Sequence, residues 1–554
     1  MENNTTHAFL ADTHVVENQS GALENYNSFQ HDRALIQATQ HFNDSHKQSL
    51  NAFGQLCGSA EYLYLGHLAN QNKPQFKTHD RFGKRIDAVE FHPSYHQLMQ
   101  SAIEQQLHSS PWMTQAANAH QFRAAKYYLQ AQVEAGHGCP ITMTFASHPT
   151  LSKQPAVAQA WQPLIQSSRY DASNKPWQEK SGLTLGMAMT EKQGGSDVRA
   201  NSTKAYPVGQ PGAGELYELV GHKYFVSAPM SDGFLVLAYA TGGLSCFLVP
   251  RWRPDGSKNP LQIQQLKNKM GNVSNASSEA ELRGALGWLI GDEGRGVANI
   301  LEMVSLTRFD CMIGSSAGQR AAVAQAIHHA ERRQVFGAHL VNQPLMSQVL
   351  ADLALESDAS LALTLRMAKA LDNPSNELEQ QLLRIGTAVG KYWICKRTPG
   401  HAYEAMECMG GMGVMEDGPL ARLYREAPIN AIWEGSGNVQ CLDLMRIITK
   451  SPQCLDAVWS EVANAASDQP LLRHYLNQTR QQFSQAGVDI LNHGRYFMER
   501  LALCLQASSL IHQQSPVADA FCSSRLQQNS QALYGAFAQS IDCAAVVRHA
   551  SPHP

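Results

Sequence analysis

Residues 233–250 read GFLVLAYATGGLSCFLVP, the most apolar long stretch in the chain. A run of this length is either a membrane span or a piece of buried sheet. Thr241, Gly242 and Gly243 interrupt it near the middle. Two apolar runs around a Gly pair read as two strands and a turn, and a spanning helix would need about 20 unbroken apolar residues. Upstream, LYELVGHKYFVSAP (216–229) opens with strand-like alternation. Downstream, beyond the turn-forming RWRPDGSKN (251–259), LQIQQLKNKMG (261–271) supplies another strand. Residues 182–290 therefore form a small β-domain.

The texture on both sides is helical. SYHQLMQSAIEQQLH (94–108) and PAVAQAWQPLIQ (155–166) carry helical spacing within an N-terminal domain, 1–181, and KPQFKTHDRFGKRIDAVEFHPS (73–94) reads as a longer irregular connection. Residues 291–445 hold long helical patterns at 344–372 and 378–411. The pattern at 296–337 exceeds what one unbroken globular helix normally spans. A helix-like extension, 446–554, closes the chain in a loose SPHP.

Bulk properties exclude several functions. A net charge of -3 over 554 residues gives no global attraction to polyanions. The 11 cysteines are scattered without a C-x-x-C or metal-ligand spacing, so no metal is expected and the thiols read as reduced. The opening MENNTTHAFLADTHVVENQS lacks the basic and apolar regions of a signal peptide, which points to the cytoplasm.

Five segments carry chemistry. In MTEKQGGSDV (189–198) a Gly pair permits close ligand approach, and successive turn amides suit an anion or carbonyl. In GHKYFVSAP (221–229), Phe225 and Ser227 share one strand face, an aromatic and a hydroxyl suited to a flat ring. AERRQVFG (330–337) places Arg333, a potential phosphate ligand, at a helix end. ECMGGMGV (407–414) is a Gly-rich helix end. IWEGSGN (432–438) sets one carboxylate, Glu434, between Trp433 and a Gly-Ser-Gly turn. Taken singly, each has a simpler reading as a strand-end turn, a core aromatic, a dipole-compensating arginine, a C-cap or a surface glutamate.

Together, with LIGDEGRG (289–296) and TRFDCMIGSSAGQRAAVAQAIHHAERRQVFG (307–337), these segments resemble the successive signatures of the acyl-CoA dehydrogenase flavoproteins. The resemblance implies a mainly α fold with a β middle domain: helical bundle, β-barrel-like domain, helical bundle. It also implies a homotetramer and bound FAD. By the same resemblance, Met189 and Thr190 would contact the flavin's pyrimidine edge and Ser196 the pyrophosphate. Phe225 stands for the family's stacking Trp and Ser227 for its Ser/Thr. Arg333 would reach the pyrophosphate across a subunit interface, with Gly410 and Gly411 near the adenosine half. Ser436 and Asn438 would hold the cofactor beyond the base. Glu434 matches the catalytic base, and burial beside Trp433 would raise its pKa toward working pH.

Some relatives place the base immediately before Arg308. Here that residue is Thr307, which cannot serve. Glu407 replaces a common Gln, and Pro344, beside Gln343, replaces another.

Residues beyond Leu444, together with the wording GGLSCFLVPR, GNVSNAS and TRFDC, resemble the branch associated with the adaptive response to DNA alkylation. That implies binding of double-stranded DNA and weak oxidation of branched, isovaleryl-CoA-like acyl-CoA, with no membrane role. Residues 446–554 hold eight Lys/Arg against seven Asp/Glu, so DNA contact rests on the resemblance. Arg446, Lys450, Arg473 and Arg480 are its candidates. The alternatives are a metabolic acyl-CoA dehydrogenase with an oligomerising tail, and a DNA-binding scaffold in which flavin is only structural.

Overall fold

The structure is a computed structural model that describes residues 13–114, 116–486, 491–527, 534 and 541–553. Two helical layers enclose a β-domain.

The β-domain explains the apolar run. β1 (Gln75–His79) and β2 (Arg85–Glu90) form a separate hairpin, while β3 (Leu185–Ala188) to β9 (Ser277–Ile290) build the main sheet. Its other members are β4 (Lys204–Pro207), β5 (Leu216–Ser227), β6 (Gly233–Ala240), β7 (Gly243–Pro250) and β8 (Leu261–Leu266). β6 and β7 pair antiparallel around the predicted turn, Gly233 opposite Pro250 and Ala240 opposite Gly243. β7 pairs β9, β9 pairs β5, β5 pairs β4, and β4 returns to β6 through Lys204 and Tyr239, closing a ring. Phe234, Val236 and Phe247 turn into the ring with Tyr217 and Leu282. Leu235, Leu237, Cys246 and Leu248 face outward, onto Phe145, Ile300 and Met303 of flanking helices. Both faces of β6 are buried, so its sequence is nearly continuously apolar instead of alternating.

Three expectations fail. Residues 73–94 are not an irregular connection: they contain β1 and β2, paired Gln75 to Glu90, with Asp80 accepting the turn amides of Phe82 and Lys84. β1 is polar and largely exposed, and the buried positions of β2 are Asp87 and Val89, so no apolar alternation marks the hairpin in sequence. Residues 296–337 are not broken until their end: Gly296–Arg332 is a single helix of 37 residues, about 55 Å long. This central helix packs against Ala119–Val133 and Gly138–Leu151 on the N-terminal side and Pro344–Leu371 and Glu377–Cys408 on the C-terminal side. Its length is sustained by neighbours along its whole course. Third, the end of the chain is docked. Arg320 of the central helix donates to Ala550 O, and His328 Nδ1 lies 2.9 Å from His553 Nε2.

The C-terminal extension contributes helices Gln453–Ala465, Pro470–Ala486 and Gly494–His512. Arg366 joins them to the bundle, pairing with Glu379 and with Glu461 at 2.7 Å each. Among the described residues no helix is long and apolar enough to cross a membrane, and all eleven cysteines are unpaired.

Candidate active site

A cavity of about 1250 Å³ lies where the β-domain meets the two helical layers. That exceeds the 300–1,000 Å³ or so usual for one small ligand. Met189, Thr190, Ser196, Phe225, Ser227, Glu434 and Ser436 all line it, so residues from three distant segments converge.

The wall carrying Thr190 is held by a buried ion pair. Glu191 Oε1 accepts from Lys223 Nζ at 2.8 Å, and neither side chain is more than 1% exposed. Burial opposes a charge on Glu191. Lys223 and bonds from Ser202 and Thr203 outweigh it and hold the carboxyl at about 2. Gly194 must be glycine, because a Cβ there would lie 2.6 Å from Asp197 O. Beyond it Gly195 and Ser196 stand open on the cavity. Phe225 leaves 45% of its surface uncovered, unusual for a phenylalanine inside a folded chain. Ser227 Oγ touches Ser277 Oγ at 3.1 Å. An uncovered aromatic, a row of hydroxyls and an open Gly-Ser turn suit a flat heterocycle attached to a polar, anionic tail.

The opposite wall is the loop IWEGSGN. Ile429–Ile432 is a short helix, Glu434 has φ +57 and Gly435 φ +95, and Gly437–Lys450 begins the next helix. A non-glycine residue in the left-handed region costs about 1–3 kcal/mol and persists only where its surroundings enforce it. They do so here. Lys391, 1% exposed, donates to Trp433 O at 2.8 Å and Gly435 O at 2.6 Å. Arg308 Nε donates to Glu434 O at 2.9 Å, and Trp433 Nε1 to Asn430 Oδ1 at 2.9 Å. The Glu434 carboxyl meets Thr307 Oγ1 at 2.6 Å. Its withdrawal from bulk water pushes its pKa up, and the Thr307 hydroxyl, Arg308 and Lys391 only partly offset this. The group is a half-buried carboxylate that binds protons more readily than glutamate in water.

Sequence reasoning missed the supports of this loop. Lys391 is a lone lysine in a buried stretch of helix, TAVGKYWI (387–394), and that isolation was its only signal. It also missed other charged groups on the cavity. Arg123 clasps Asp310 at 2.6 and 2.7 Å, and Thr142 donates to Asp310 at 2.7 Å. Glu426, raised to about 7 by burial and by Glu134, accepts from Asn272 N at 2.7 Å.

Other predicted residues stand elsewhere within this chain. Arg333, at the end of the central helix, donates to Asn18 O at 2.7 Å. Gly410 and Gly411 lie in an exposed 3-10 turn, Gly410–Val414, just past an exposed Glu407. Pro344 opens the helix Pro344–Leu371, while Gln343 donates to Val335 O at 3.0 Å. Asn438 is exposed and accepts from Arg495 Nε at 2.9 Å. Arg446 and Lys450 line the cavity; Arg446 and Arg308 share Asp443, at 2.5 and 2.6 Å. Arg473 is turned to the carbonyls of Ala466 and Ser467, and Arg480 lies over the Trp459 ring.

Comparison with known proteins agrees along the length. The family described as Adaptive response protein AidB N-terminal domain matches residues 18–172. The acyl-CoA dehydrogenase middle domain matches 186–285, and the C-terminal domain 294–449. AidB of Escherichia coli (strain K12) is 43% identical over 514 residues, covering 92% of this chain and 94% of its own. Acyl-CoA dehydrogenase family member 11 of Caenorhabditis elegans is 31% identical over 438 residues, 74% of this chain and 68% of its own. Among solved structures, Caenorhabditis elegans ACDH-11 in complex with C11-CoA superposes with a TM-score of 0.85 at 25% identity, covering 94% of this chain and 95% of that one. An acyl-CoA dehydrogenase complexed with FAD from Bacillus anthracis gives 0.66 at 18% identity, covering 88% and 87%, and supports the fold. Identity over nearly the whole chain, with an architecture to match, shows that the chain belongs to the acyl-CoA dehydrogenase family of FAD-dependent oxidoreductases, in its AidB branch.

Proposed function

We propose that this chain is an FAD-containing acyl-CoA dehydrogenase acting on short, branched acyl thioesters of the isovaleryl-CoA kind, and that it binds double-stranded DNA in the response to alkylation damage. The observation that carries the catalytic part is convergence. Glu434, on a braced and strained loop, shares one cavity with the Thr190–Ser196 and Phe225–Ser227 walls.

Thr190, Ser196, Phe225, Ser227 and Ser436 would hold the cofactor. The chemistry supplied by bound FAD is acceptance of the substrate's β-hydrogen together with its electron pair. Glu434 removes the α-proton of the thioester and keeps it as a carboxylic acid. A base is most useful when its pKa lies near the working pH, and the raised affinity of Glu434 for protons moves it that way. Lys391 and Arg308 fix the backbone of the base, so its carboxyl is presented without a search of loop conformations. Arg333, Gly410, Gly411 and Asn438 lie away from this cavity in the single chain. Under the proposal, Arg333 and the two glycines serve the cofactor of a neighbouring subunit in a homotetramer.

The DNA part is supported by kinship with AidB and by the basic residues Arg446, Lys450, Arg473 and Arg480. Arg446 and Lys450 line the cavity on the helix Gly437–Lys450, and Arg473 and Arg480 lie on Pro470–Ala486, so DNA would lie across these two helices. Binding to a random duplex with a salt titration tests it. The log of the binding constant should fall linearly with log salt, with a slope near -0.9 per phosphate neutralised. Absence of binding at low salt would leave a metabolic dehydrogenase with an appended helical domain.

A further inference from the structure

The position that some relatives give to their base is occupied here by Thr307, and its surroundings give it a task. Thr307 is 1% exposed, on the central helix, with Oγ1 2.6 Å from Glu434 Oε2 and 3.0 Å from Val304 O. A hydroxyl has one proton and can also accept. Against a carboxylate it donates to Oε2. Against a carboxylic acid it accepts from the acid's O–H and turns its own proton to Val304 O. Both protonation states of the base are then hydrogen-bonded without movement of either backbone.

We propose that Thr307 is the positioning residue of the base: its hydroxyl fixes the Glu434 carboxyl at Oε2 and reverses its hydrogen bond as the carboxyl gains or loses a proton. This rests on Glu434 being the base. The charged and titratable groups facing that carboxyl are Arg308 and Cys311 on the same helix as Thr307, Lys391 on the Glu377–Cys408 helix, and Cys139 on the Gly138–Leu151 helix. Asp443 pairs with Arg308 behind it. Burial lifts both thiols, Cys139 to about 12, so neither carries charge near neutrality. Arg308 and Lys391 are committed to backbone carbonyls, and the only side-chain bond to the carboxyl itself comes from Thr307 among the described residues.

The test compares Thr307→Val, which keeps the shape, with Thr307→Ser, which restores the hydroxyl, in the flavin-loaded protein. Two readouts are taken. One is the titration of the Glu434 carboxyl by ¹³C NMR, assigned by its absence in Glu434→Gln. The other is the pH profile of flavin bleaching by isovaleryl-CoA. Loss of the hydroxyl removes a charge-assisted bond from the carboxylate and only a weaker neutral bond from the acid, so the charged form loses more. The Glu434 titration should therefore move up by about one pH unit or more in Thr307→Val, carry the acid limb of the bleaching rate with it, and return in Thr307→Ser. Superimposable titrations in all three proteins would overturn the proposal, as would a Thr307→Ser protein that behaves like Thr307→Val. If Thr307→Val fails to load flavin, Thr307→Ala serves the same comparison. Failure of every acyl-CoA to bleach the wild-type flavin would count against the dehydrogenase reading, and the NMR titration would still decide the role of Thr307.

Discussion

At the residue scale, the proposed function turns on Glu434. Glutamate in water titrates near 4.3, and burial moves this one upward. As the proposed base it would act in its carboxylate form, so a raised pKa carries the loss of activity to higher pH. The rate of flavin bleaching should therefore fall with decreasing pH at values above the ordinary glutamate range, where a solvated base would still be fully ionised. Glu434→Gln should keep flavin in place and lower the bleaching rate by at least about 10²-fold, the usual contribution of a general base. Unchanged turnover in that variant, measured by stopped flow, would put the base elsewhere. This candidate was legible in sequence because IWEGSGN is a local pattern. Its support was not. Thr307, Arg308 and Lys391 approach from two other helices, at separations that no short motif records.

The loop that presents Glu434 is the element on which geometry depends. Gly435 has φ +95, and a Cβ there would sit 2.8 Å from Gln440 Nε2 and 3.2 Å from Arg308 Nη2. Gly435→Ala should thus combine backbone strain of about 1–3 kcal/mol with displacement of Gln440 and crowding of Arg308, and turnover should fall more than flavin content does. Lys391→Met leaves Trp433 O without its donor and Gly435 O with Gln440 Nε2 alone. That should cost about 1–3 kcal/mol of stability, read from urea unfolding, because an unpaired buried acceptor retains its desolvation penalty. A variant as stable as wild type would show that water replaces the ammonium. Elements also mark where sequence reading is weakest. β6 and β7 were legible because both of their faces are buried and a Gly turn divides them. The hairpin β1–β2 was not, because β1 is polar and largely exposed and the buried face of β2 sets Asp87 beside Val89, which leaves no apolar period-two signal. The central helix was expected to break because an isolated helix seldom runs so far, yet packing partners on both sides sustain it.

At the scale of the whole molecule, the order helical layer, barrel, helical layer places a cavity at a three-way junction, and the appended helices pack on the long helices of the C-terminal bundle. The proposed DNA contact belongs to this scale. Replacing Arg446 and Lys450 together by Gln should weaken binding to all duplex sequences alike and reduce the salt slope by about 2, one for each phosphate no longer neutralised. An unchanged slope would remove those two residues from the interface. The tail's near balance of charge explains why composition was silent here: only placement on one surface could make eight cations act together.

The most direct measurement is the visible spectrum of the purified, flavin-loaded protein during anaerobic titration with isovaleryl-CoA. If Glu434 is the base of a working dehydrogenase site, the oxidised flavin band bleaches in wild type and persists in Glu434→Gln. A wild-type protein that stays yellow with isovaleryl-CoA and with a panel of straight and branched acyl-CoA thioesters would contradict that assignment.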